Sequence, residues 1–190
     1  MKFIGTSALA AASWVFSSKV SDKVCFDNVK ESDLARNAIC ILYPADHPQL
    51  QEVAGIISFR QESLSEDLKV VANVSGLNPN SLHGMVVHRN GDLTQGLKSF
   101  GEDFKAPLKE KETSHFYKFA GDLGNLKTDE RGNGYAAFTH PHLSLFGATS
   151  IIGRSCIVYD KENSNDGNKG KGVAGGVIGI SKEFKNLPPN

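Results

Sequence analysis

Residues 78–96 read NPNSLHGMVVHRNGDLTQG. Pro79, Asn80 and Ser81 are turn formers, and each supplies a local reason for the chain to reverse. Residues 82–88, LHGMVVH, then form a short apolar run bounded by turns, which reads as a strand. Residues 89–96 return to Asn, Gly and Asp and read as a loop. The same pattern recurs upstream. Residues 38–43 (AICILY) are a strand-like run ended by Pro44. Residues 53–61 (VAGIISFRQ) form a second strand, and residues 68–76 (LKVVANVSG) a third with alternating apolar positions. Short strands at this spacing predict an antiparallel sandwich or barrel. No repeat or low-complexity tract interrupts them.

Composition agrees with such a domain. The chain has 190 residues, enough for one domain and an extension, and 39% are hydrophobic. Lys+Arg and Asp+Glu are both 21, so no net charge draws the chain to nucleic acid or an anionic membrane. The 19 glycines and 11 phenylalanines suit a turn-rich β protein. The cysteines, Cys25, Cys40 and Cys156, form no C-x-x-C pair, which argues against a zinc–thiolate site. Cys25 and Cys40 either pair in an oxidising compartment or stay as separate thiols, and separate thiols are the plainer reading. Residues 1–20 hold no acidic residue. Lys2 precedes an apolar, Ala/Ser-rich run from Phe3 to Phe16, shorter than the roughly 20 residues of a membrane span. It reads as a signal peptide or a mitochondrial targeting segment. Residues 22–37 follow as a polar connector, with weak helical character over 30–38.

The opening stretch resembles the metal-strand signature of the copper/zinc superoxide dismutases. The matching residues are Leu82-His83-Gly84, His88, Gly91-Asp92, Thr94 and Gly96. Further matches follow in order: residues 53–61, the Gly121-Asp-Leu-Gly-Asn125 motif, Leu143-Ser-Leu-Phe-Gly147 with Ser150-Ile-Ile-Gly-Arg154, and Gly175-Gly-Val-Ile-Gly-Ile180. The resemblance implies an all-β, eight-stranded antiparallel Greek-key β-barrel over residues 38–182. An N-terminal targeting or docking arm (1–37) and a C-terminal tail (183–190) flank it.

The resemblance also implies a metal site, which this chain departs from. Val86 stands where the family has its first copper histidine and His88 where it has the second. Asp103 takes the bridging position and Tyr159 the last one. A valine has no donor atom, and neutral imidazoles are what suit copper in both redox states. On the zinc side Asp122 is kept, Phe119 replaces a histidine, and Glu112 or His115 falls near the remaining position. The vestigial candidates are therefore His88, Asp103, His115 and Asp122, with no catalytic residue assigned. No bound metal is expected: copper is lost, and a residual oxygen-rich zinc site is the weaker alternative. By the same alignment Leu97 and Gly175 replace the disulfide cysteines, Gly172 lies near the guiding arginine, and the loop after Tyr159 is shortened. His83 matches a position whose role is a loop-tying hydrogen bond.

Other motifs carry less. His140-Pro-His142 could place two imidazoles on one strand face, but Pro141 favours a strand end. Residues 163–172, NSNDGNKGKG, read as a flexible surface loop without the G-K-[ST] of a phosphate loop. Cys156 reads as a small core residue. Asn73-Val-Ser75 is a glycosylation sequon that matters only in a secreted chain. The expected function is that of a superoxide dismutase-like pseudoenzyme. It would serve as a structural or binding module, an accessory subunit meeting protein partners through its arm and barrel surface. The expected compartment is the mitochondrion, with the secretory pathway, including a secreted decoy, as the alternative. Membrane proximity is left open, and the family homodimer is not assumed. The alternative function is a metal-binding protein with residual dismutase or other redox activity at His88, Asp103, Tyr159 and Asp122.

Overall fold

The computed structural model describes residues 36–45, 52–105, 120–164 and 168–182. Eight strands alternate along this part of the chain: β1 (Arg36–Pro44), β2 (Ala54–Gln61), β3 (Leu68–Ser75), β4 (Leu82–His88), β5 (Asp122–Lys127), β6 (Gly134–His140), β7 (Ser155–Tyr159) and β8 (Gly172–Ser181). All the pairings are antiparallel, in the order β5-β4-β7-β8-β1-β2-β3-β6. The end strands β5 and β6 pack across the remaining seam, and a bridge between Thr128 and Gly134 helps close it. The result is the nearly closed β-barrel that the sequence predicted.

Period-two alternation fills the interior. Ala38, Cys40 and Leu42 of β1, Ile57 and Phe59 of β2, and Val70, Ala72 and Val74 of β3 are buried, and Met85, Val87, Val158 and Ile178 meet them from the other wall. Gln61 is also buried, at the barrel end, with its hydrogen bonds satisfied. Its Oε1 accepts from Ser144 Oγ (2.8 Å) and the Leu145 N–H (2.7 Å), while its Nε2 donates to the Glu66 carbonyl (2.7 Å). This clamps the β6–β7 connection onto β2, because an unmet buried amide is costly.

Three expectations change. β1 starts at Arg36, inside the expected arm and its weak helix, since the Arg36 guanidinium has a tertiary use. It donates to the Leu145 carbonyl (3.0 Å) and lies 4.2 Å from the Phe146 ring centre. Pro44 closes β1 from within, opposite Ala174. The segment read as a flexible surface loop is partly tied down: Asn163 is buried, and Lys169 is ion-paired across the molecule. Cys40 is a buried free thiol, and Cys25 lies outside the described residues. Cys156 is likewise free and buried. Burial first, and then the neighbouring Cys40, pushes its thiol pKa up. Cys156 pairs with Gly176 on β8, and a Cβ on Gly176 would stand 3.2 Å from Cys40 Sγ.

Candidate functional site

β4 from His83 onward and β7 are buried along both faces. Their outward side chains, Val86, Ile157 and Tyr159, are covered by the segment after β4. That segment folds back through a short 3-10 helix, Gly96–Phe100, and hydrogen-bonds to β4 on its return. Arg89 N–H donates to Glu102 O, Asn90 N–H to Phe100 O and Phe104 N–H to Val87 O. Phe100 is driven down onto the sheet, and Val86, Phe100, Ile157 and Tyr159 form a second buried apolar cluster, flanked by Leu97 and Val177. Leu97 rests on β8 where glycines leave room: a Cβ on Gly175 would lie 2.5 Å from Leu97 Cδ2, and one on Gly172 2.9 Å from Cδ1.

A polar chain runs along the edge of this cluster. Nδ1 of His88 faces the Gly101 carbonyl at 2.8 Å, and a carbonyl only accepts, so Nδ1 carries the proton. Nε2 is then an acceptor, and the Tyr159 hydroxyl donates to it at 2.8 Å. Burial lowers the His88 pKa, against the opposing pull of the Gly101 hydrogen bond and the Asp103 charge. Burial and Asp103 raise that of Tyr159, so both groups stay neutral near pH 7. Asp103 Oδ1 lies 3.6 Å from His88 Nε2, but its oxygens are taken by Lys169 Nζ at 2.6 and 2.5 Å. The same ammonium stands 5.0 Å from the Tyr159 ring centre. His88 and Tyr159 line a groove of about 820 Å³ together with Tyr43, Leu93, Leu97 and Lys171.

The structure thus brings together His88, Asp103 and Tyr159, three of the residues singled out in the sequence. Asp122 sits opposite Val86 in the β4–β5 ladder and accepts from the Gly124 N–H at 2.9 Å through Oδ1. His115 lies outside the described residues. His83 ties a loop to the barrel as expected, with Nδ1 at 2.8 Å from the Tyr159 carbonyl and Nε2 at 3.3 Å from that of Asn78. His140 and His142 are both buried at the end of β6. Sequence reasoning missed Phe100 and Lys169. An aromatic before a glycine and a lysine in a polar loop carry no local signal of where they pack.

The comparisons bear on what this arrangement descends from. The family model described as copper/zinc superoxide dismutase matches residues 53–178. The chain belongs to the copper/zinc superoxide dismutase family. A copper–zinc superoxide dismutase of Kluyveromyces lactis is 37% identical over 144 residues, covering 68% of this chain and 90% of the relative. That of Saccharomyces cerevisiae is 34% identical over 141 residues (68% and 91%), and that of Schizosaccharomyces pombe 33% over 141 residues (68% and 92%).

These findings correct the expectation of a protein without metal cofactors, since copper and zinc are the metals of this family and of the relatives named. The described residues do not fit either metal. Among them no group of three or more His, Cys, Asp or Glu side chains is placed to hold an ion. The donor atoms of His88, Asp103 and Tyr159 are engaged with one another, with Lys169 and with the Gly101 carbonyl. No chemical step is therefore derived through a metal at these residues.

Removing the Tyr159 hydroxyl tests the hydrogen-bond direction. In Tyr159→Phe, Nε2 of His88 loses its donor and is left beside Asp103. The His88 pKa is expected to rise, seen in a proton NMR titration of the imidazole, and stability to fall by about 1 kcal/mol. An unchanged titration would show that Tyr159 does not hold His88 neutral.

Proposed function

We propose that this superoxide dismutase-like protein works as a binding module in a larger assembly and does not turn over superoxide. The observation that carries the reading is the cluster of Val86, Phe100, Ile157 and Tyr159. It places apolar, buried side chains where the family resemblance puts the copper-binding face of β4 and β7. The Asp103–Lys169 ion pair supports it, because it engages the carboxylate at the bridging position. Binding is supported by the outer wall. Ile41 and Tyr43 of β1, Ile56 of β2 and Ile180 of β8 are large apolar residues left 43–75% exposed. Ile41 and Ile56 are cross-strand partners. The groove beside Tyr43 continues the same face.

The deciding experiment supplies the purified full chain with copper and zinc, measures the metal retained, and assays superoxide disproportionation. The expected rate does not exceed that of the same metals in buffer. A rate that scales with copper retained by the protein would overturn the proposal and return the chain to the catalytic members of its family.

A further inference from the structure

The sequence contains a single Asn-x-Ser/Thr triplet, Asn73-Val74-Ser75, and it lies within β3. A sequon inside a barrel strand is usable only if its asparagine faces outward, because an oligosaccharide on an inward residue would prevent the barrel from closing. In β3 the alternation resolves this. Val70, Ala72 and Val74 point into the core, while Asn73 and Ser75 are exposed. On the outer face Asn73 stands opposite Ile56 of β2 on one side and Tyr135 of β6 on the other. Tyr135 is 57% exposed. A shallow depression lined by Asn73, Lys127, Asp129, Asn133 and Tyr135 opens beside it.

We propose that Asn73 is a site of N-linked glycosylation, with the first sugar lying against the Tyr135 ring. The amide nitrogen of Asn73 would form a bond to C1 of an N-acetylglucosamine carried on a lipid pyrophosphate. The C1–oxygen bond breaks, the lipid pyrophosphate leaves, and the amide gives up one proton to the transferase. Ser75 supplies the hydroxyl that the acceptor motif requires. After folding its Oγ donates to the Ala54 carbonyl at 3.3 Å, so nothing inward has to change. An exposed aromatic residue suits the apolar face of a pyranose, with the sugar hydroxyls left in water. The route is the secretory alternative of the two readings of residues 1–20, a signal peptide or a mitochondrial targeting segment. In strand order the site lies on the β2–β3–β6 side, away from the β4–β7–β8 wall that carries Tyr159. It borders the proposed binding face at Ile56, and its test reads modification alone, so its failure would leave that binding role standing.

The test is cell-free translation of the full chain in the presence of endoplasmic-reticulum microsomes, followed by protease protection and digestion with a peptide N-glycosidase. The expected product is protease-protected and carries one glycan that the glycosidase removes. Asn73→Gln and Ser75→Ala should be protected but unmodified, and Ser75→Thr should keep the glycan. Because both side chains are exposed, these variants should fold as the parent does, as shown by unchanged circular dichroism. A wild-type product that is unmodified, whether protected or not, would overturn the proposal. So would a glycan that survives in Asn73→Gln.

Discussion

Phe100→Ala is expected to cost about 3–5 kcal/mol of folding stability, the range for deleting a buried aromatic ring. The ring is wholly buried, yet it belongs to a short helix in a loop, where a large effect would not ordinarily be looked for. Its neighbours cannot collapse to fill the void. Val86 and Ile157 are fixed in central strands, and the glycines of β8 offer no side chain. Water would then reach Tyr159, and the burial that raises its pKa would be relieved. Denaturant unfolding measures the first effect, and absorbance titration of the tyrosinate measures the second. Phe100→Leu, which keeps most of the volume, should lose much less. A loss below about 1 kcal/mol for the alanine variant would mean that the loop is not a true second core.

The second large effect is acid destabilisation through His140. Its Nε2–H donates to the Asp122 carbonyl at 3.0 Å, and its Nδ1 accepts the N–H groups of His142 and Leu143 at 3.3 and 3.2 Å. Both nitrogens are committed to the neutral ring. Burial, ahead of smaller opposing contributions led by the Asp122 hydrogen bond, lowers its pKa from 6.5 to about 4. Between these values the unfolded chain binds a proton that the folded chain does not. Stability is therefore fully present above about pH 6.5 and is lost as the pH falls toward 4. The loss at the lower end is about 3 kcal/mol for a shift of this size. Denaturant midpoints across this range should fall in the parent and much less in His140→Gln, whose own stability is lower and flatter with pH. A parent curve no steeper than that of the variant would remove His140 as the cause.

Much of the fold was legible because it is written in local alternation. The strand 82–88 was read to the residue, and the three strands before it to within one or two positions. The errors came where a polar residue works at a distance. Arg36 and Asn37 look like connector, yet they extend β1, because Arg36 meets Leu145 and Phe146 more than a hundred positions away. The site divides in the same way. His88, Asp103, Tyr159 and Asp122 could be located by their place in motifs, and His83 even by its bond. Phe100 and Lys169 could not, since each acquires its role only when a loop closes over the sheet. Lys169 reaches Asp103 across 66 positions of sequence. The metal expectation failed for another reason. Absent ligands describe one site, whereas the family relation speaks for copper and zinc in the lineage as a whole.

The pairing of β1 with β8 joins the first described strand to the last. A ribosome delivers the two ends of that ladder at opposite ends of synthesis, so the wall of the barrel cannot be completed on a growing chain. The same holds for β3, whose outer neighbour β6 emerges more than sixty residues later. Until then the β1–β2–β3 meander is a small sheet with both edges open, exposed to self-association and to chaperones. Asn73 would spend that interval without its Tyr135 neighbour. Truncated nascent chains ending before residue 172 should therefore stay protease-sensitive and become resistant only once β8 has cleared the exit.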